Sequence, residues 1–158
     1  MSRSLPQFKI QNEKFKKRRC RSDGRPGPDR RRTITYSVRV IHLYRTLAGD
    51  AAGRVIARQL LRSATSVGAN VHEAQAGQTR ADFIAKMSIA HKEATESRYW
   101  LRLISEAELL PAEKLNDLQD ETEQIVRIIG SILVSAKKRI IGAERVILTR
   151  GREQNVVV

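Results

Sequence analysis

The chain has 158 residues, with 30 Lys or Arg against 17 Asp or Glu and a formal net charge of +13. That length allows one domain with a substantial core and is short for two, and 4% aromatics with nine Gly and four Pro argue against a sandwich or barrel and for helices. The single cysteine, Cys20, can form no internal disulfide, and no apolar run approaches the roughly 20 residues of a membrane span, so a cytoplasmic protein away from membranes is expected.

Residues 1–32 carry twelve Lys or Arg against Glu13, Asp23 and Asp29, or +9, which leaves eighteen basic and fourteen acidic groups, or +4, for residues 33–158. No apolar period runs through this segment, and Ser22 to Asp29 holds two Gly and two Pro, so a disordered basic arm is predicted. Arg18 and Arg19 are followed by further charge rather than by the apolar stretch of a secretory signal. Two readings of the arm stand open: a flexible segment that scans nucleic acid, or a solubilising tail, even sequence upstream of the true translation start.

The first helix is expected from about Thr33 to Ala48, with Val40, Ile41, Tyr44, Leu47 and Ala48 as its apolar face and Gly49 as its stop. Asp50 suits the cap of a second helix, in which Gly53, Ile56, Leu60, Ser63, Val67, Asn70 and Ala74 recur at steps of three and four until Gly77. Thr79 and Asp82 resemble a capping box that opens a third helix, running to about Leu109. Its seam reads Phe83, Met87, Ala90, Ala94, Ser97, Leu101 and Ile104. Pro111 fits the first turn of a fourth helix, whose seam reads Leu115, Leu118, Thr122, Ile125, Ile129, Ile132 and Ala136 and which should end at Ile140 or Ile141. Short links force neighbours to run antiparallel. The expected fold is therefore all-α, an up-down-up-down four-helix bundle over residues 33–141 with a tail over 142–158.

The polar residues within this cadence carry a resemblance. The pair Arg62-Ser63, the segment Gly68-Ala69-Asn70-Val71-His72-Glu73 and the segment Lys92-Glu93-Ala94-Thr95-Glu96-Ser97-Arg98-Tyr99-Trp100-Leu101 together resemble the four-helix bundle proteins related to the 23S ribosomal RNA intervening-sequence protein. The likeness covers about Tyr36 to Lys138. It implies a ring-shaped homo-oligomer, a pentamer around a central channel, with no established catalytic activity. The accessory variability determinant of diversity-generating retroelements is similar in fold and works with a reverse transcriptase and nucleic acid, so the resemblance implies an adaptor associated with RNA or DNA. A strip beyond the core that includes Ile84, Ser88 and Tyr99 is expected to serve the oligomer.

Independently, Arg54, Arg58 and Arg62 lie four residues apart, a stripe along the second helix able to track a phosphate backbone. Lys137, Lys138 and Arg139 form a second basic cluster. The competing reading makes both ordinary surface, with Arg62 paired to Glu93 or Glu96. Interior Asn70 should set register, Ser63 is small enough to allow close helix approach, and Glu73, Glu93 and Glu96 read as partly buried carboxylates held by Arg62, Asn70 or helix ends. A catalytic or metal role finds little support. None of His42, His72 and His91 follows a Glu by three positions as a di-iron bundle requires, and CxxC pairs, Gly-rich phosphate loops and nucleophile elbows are absent from the sequence. No catalytic residue, metal or cofactor is expected. The leading function is a non-enzymatic oligomeric bundle that binds nucleic acid, or a nucleic-acid enzyme such as a reverse transcriptase, through basic surfaces; the alternative is a structural or protein-adaptor module with no nucleic-acid role.

Overall fold

The computed structural model describes residues 30–153, with side chains through Lys138, so the segment 1–29 and residues 154–158, and with them most of the predicted arm, lie outside the described residues. Four α-helices, α1 (Arg30–Leu47), α2 (Ala51–Ala76), α3 (Arg80–Glu106) and α4 (Asn116–Glu153), build an all-α four-helix bundle, with a 3-10 turn at Ala112–Lys114 before α4. Contacts fix the arrangement. Arg30 meets Gln75 and Ser37 meets Ala64 across α1 and α2, Glu73 meets Lys86 and Arg62 meets Glu96 across α2 and α3, and Arg80 meets Ala136 and Arg98 meets Glu123 across α3 and α4. In each pair the numbering rises on one helix as it falls on the next.

The helix ends follow from their cap residues. Asp50 takes extended backbone and its carboxylate accepts from the Gly53 amide at 2.5 Å, while the Gly77 amide closes α2 on the Glu73 carbonyl. Thr79 accepts from the Asp82 amide and donates its hydroxyl proton to the Asp82 carboxylate, fixing the start of α3. Four ends differ from expectation, the first being that of α3, which stops at Glu106 and not near Leu109. α1 begins at Arg30, inside the predicted arm, where Arg30 is held by Gln75 and Arg32 by Glu121 and Gln124. Pro111 opens the 3-10 turn, its carbonyl accepting from Lys114, and so precedes α4 instead of sitting in its first turn. α4 passes through Gly142 and ends at Glu153, because a glycine with no proline or cap behind it is an interior defect of about 1 kcal/mol rather than a stop.

The expected seams of α3 and α4 are the observed core. Met87, Ala90, Ala94, Ser97, Leu101 and Ile104 of α3 are buried, as are Leu115, Leu118, Thr122, Ile125, Ile129 and Ala136, and Phe83 and Ile132 pack against this core half-buried. On α2 the seam slides. Ala57 and Val71 are buried where Ile56 and Asn70 were expected, since a straight helix drifts about 20° per heptad and α2 packs against both α1 and α3. Small residues widen that buried sector: Ala57, Ala64, Gly68 and Ala74 let α1 and α3 approach, with Ser37 and Thr33 of α1 lying over Gly68. On α1, Thr33, Tyr36, Val40 and Leu47 are buried, while Ile41 and Tyr44, and Ala48 just past its end, are only partly covered.

Candidate interaction surface

Inside the bundle five hydroxyl residues are buried: Thr33 and Tyr36 from α1, Ser63 from α2, Ser97 from α3 and Thr122 from α4. Ser63 and Ser97 lie 2.8 Å apart, and Ser97 also bonds the Glu93 carbonyl at 2.9 Å. Thr122 lies 2.7 Å from the Leu118 carbonyl and 3.0 Å from the Tyr36 hydroxyl. One hydroxyl proton serves one acceptor, so with the Thr122 proton on Leu118 the phenol is the donor. Burial pushes the Tyr36 phenol above its ordinary pKa, opposed by its hydrogen bond with Thr122. Thr33, Ser63, Ser97 and Thr122 each reach a carbonyl of their own helix; Tyr36, on its long ring, depends on its neighbours.

A polar patch lies over the α2 and α3 seam. Arg62 pairs with Glu96 and stands 3.9 Å from Glu93, and the Trp100 indole N–H donates to the same Glu96 oxygen at 3.1 Å. Farther along, Lys86 pairs with Glu73 at 2.5 Å. Asn70 is half-buried beside the seam and donates to the Ser66 carbonyl and hydroxyl, so it holds none of the three carboxylates. Arg62 is more than half exposed, and a pair so open to water contributes at most about 1 kcal/mol. Its value is positional: it keeps the carboxylates and the indole in one arrangement.

The stripe along α2 is thereby divided. Arg62 is committed to Glu96, Arg54 donates to the Ala48 carbonyl at 2.9 Å, and Arg58 is exposed with no hydrogen bond or ion pair among the described residues. Lys137 and Lys138 are exposed on α4, and the Arg139 side chain lies outside the described ones. Large apolar side chains reach solvent on every helix: Ile34 and Val38 on α1, Val55 on α2, Ile89 and Tyr99 on α3 and Val134 on α4. Of the strip expected on α3, Tyr99 is 58% exposed, edge-on to Trp100, whereas Ile84 and Ser88 are half-buried.

No group of three metal-ligating side chains occurs among the described residues. His91 and Glu93, joined in sequence, part company in space: His91 lies against Gly130 of α4, and Glu93 faces Arg62 of α2. The residues that sequence reasoning passed over are Tyr36, Arg32 and Lys86. A signal existed for the first, since Tyr36 precedes Val40 by four and so shares its face.

Residues 30–131 match the family model described as 23S rRNA-intervening sequence protein. A solved structure of a protein of unknown function from the S23 ribosomal protein family of Bacteroides thetaiotaomicron is similar at 38% identity, with 66% of this chain and 93% of that one covered and a TM-score of 0.62. Among curated proteins there is no match. With the matched segment spanning α1 to the middle of α4 and carrying the Arg62, Ser63, Glu93 and Glu96 arrangement, the chain belongs to the 23S rRNA-intervening sequence protein family.

Proposed function

We propose that this bundle is a non-enzymatic adaptor that assembles with copies of itself and docks a protein partner through apolar side chains on its helix surfaces. The observation that carries this reading is the contrast on the surface. Two of the three arginines of the α2 stripe are engaged, Arg62 with Glu96 and Arg54 with the Ala48 carbonyl, leaving Arg58, whereas Ile34, Val38 and Val55 stand in solvent and Tyr99, edge-on to Trp100, is 58% exposed. The family has no known catalytic activity. A ring, with five copies as the resemblance implies, is the assembly we favour, in a cytoplasmic setting. The test is a native preparation treated with nuclease: a protein partner retained by the full chain supports the adaptor, and its loss with the nucleic acid overturns it.

A second reading rests on the charge of +13 and on exposed Lys137 and Lys138. Under it, the chain binds RNA or DNA by neutralising phosphates, and affinity falls steeply between two salt concentrations. A nucleic-acid enzyme such as a reverse transcriptase is a partner that satisfies both readings. A titration of the full chain with RNA and with DNA at low and high salt separates them, since no binding at low salt removes the second.

A further inference from the structure

Charge is sorted along the bundle axis. Arg30 of α1 meets Gln75 of α2, Glu73 meets Lys86 of α3, and Arg80 donates to the Ala136 carbonyl of α4 at 3.1 Å, which gathers residues 30–32, 64–92 and 127–138 in one half of the bundle. That half holds nine Lys or Arg against Glu73 and Asp82, or +7. The other half, residues 33–63 and 93–126, holds eight Lys or Arg against ten Asp or Glu, or −2, and seven of those acids face only Lys114 within residues 106–123. α2, with 26 residues, runs about 39 Å from one end to the other. The Debye length is about 8 Å at physiological salt, so the far acids do not cancel the basic half.

The cations of that half keep their charge. Arg30 and Arg80 are exposed and bond neutral acceptors, the Gln75 amide and the Ala136 carbonyl, while Lys92, Lys137 and Lys138 are exposed with no ion pair among the described residues. A guanidinium has five N–H donors, so one spent on a neutral acceptor leaves others for a ligand. At the opposite end Glu108, Glu113, Asp117 and Asp120 are exposed and unpaired among the described residues, and Arg54 and Arg58, in the first turns of α2, belong to this acidic half.

We infer that nucleic acid is gripped end-on, by the basic half around Arg30, Arg80, Lys137 and Lys138, with the acidic end turned away and the α2 arginines off the phosphates. This deepens the nucleic-acid reading above and rests on it. The field of the two ends orients the encounter. The acidic end of a second copy also matches the basic half in sign. Exposed ion pairs between proteins contribute at most about 1 kcal/mol each, whereas a phosphate backbone releases condensed counterions at every contact, so the polymer is the occupant.

The test is a titration of the full chain with a DNA duplex of about 20 base pairs and an RNA of about 20 nucleotides, at about 50 and 200 mM salt. Two double variants of equal net charge are compared, Lys137→Gln with Lys138→Gln in the basic half and Arg58→Gln with Lys114→Gln in the acidic one, all four side chains being exposed. The first should weaken binding about tenfold at low salt and lower the slope of log affinity against log salt by about 1 to 2; the second should change affinity less than about twofold and leave the slope alone. Equal weakening by both overturns the end-on grip and leaves binding by net charge standing. No binding by the unaltered chain at low salt removes the grip and the reading beneath it together. Assembly that grows as salt falls without nucleic acid, and that the Lys137 and Lys138 variant abolishes, gives the basic half to a second copy and overturns the proposal as well.

Discussion

Tyr36 shows how one atom changes the meaning of a core position. Its ring fills the interior like any apolar residue, yet its hydroxyl has no backbone carbonyl of its own helix to turn to and relies on Thr122. Tyr36→Phe leaves Thr122 satisfied by Leu118, so the expected loss is one hydrogen bond, about 1 kcal/mol, and not the larger penalty of an orphaned group. The pH dependence follows from the raised phenol pKa. Both states are protonated below the ordinary value of about 10; above it the unfolded chain ionises first, and stability falls until the folded phenol ionises too. Urea midpoints at pH 8 and pH 11 check this: the unaltered protein should lose more stability over that interval than Tyr36→Phe, so the gap between them narrows. A gap that widens at pH 11 contradicts the buried phenol. Tyr36 was legible in its spacing from Val40, but its partner was not, because a pairing between positions 36 and 122 exists only after four helices close around it.

At the scale of elements, the sequence was most readable where chemistry is local. Asp50 and Thr79 announce helix starts through side chains that accept from amides three residues on, Gly77 announces an end through its own amide on the Glu73 carbonyl, and the seams of α3 and α4 repeat without interruption. The end of α3 was not readable in the same way. The Leu109 amide bonds Ile104 and the Glu108 amide bonds Ser105, a Schellman closure that puts Glu108 at φ 50, a conformation usually reserved for glycine. Glu108→Gly removes the strain of a side chain there and should stabilise by about 1 kcal/mol, seen as a higher thermal midpoint. Two glycines of α2 are expected to part ways. A methyl at Gly68 meets nothing nearer than Ser37 Oγ at 3.5 Å, so Gly68→Ala should gain about 0.5–1 kcal/mol of helix propensity. At Gly53 the same methyl lies 3.1 Å from the Leu47 carbonyl and from the Asp50 carboxylate, neither free to yield without loosening the cap, so Gly53→Ala should lower the midpoint. A common sign for both substitutions contradicts this account.

For the whole molecule, the surface divides what folding uses from what it leaves over. Arg62, Glu73, Lys86 and Glu96 are drawn into pairs across α2 and α3, which is why a stripe that looks free in the sequence is largely occupied in the bundle; spacing shows which residues share a face and says nothing of the face opposite. Ile34 and Val38 are left over. They lie four apart on one side of α1, 52% and 44% exposed, while Tyr36 and Val40 of the same helix are buried. Self-association through this side has a clear consequence. Since neither side chain supports the monomer's core, Ile34→Glu combined with Val38→Glu should change monomer stability by little more than the usual surface effect of about 0.5 kcal/mol each. Assembly should respond strongly, because each new carboxylate would be buried unpaired between copies. Light scattering checks it: the unaltered chain is expected at a multiple of 17.9 kDa, five-fold for the proposed ring, and the double variant at 17.9 kDa with its helical circular dichroism intact. An unaltered chain already at 17.9 kDa at micromolar concentration removes the assembly, and a variant that keeps the full mass moves the contact to another face, with Val55 on α2 and Tyr99 on α3 next in exposure.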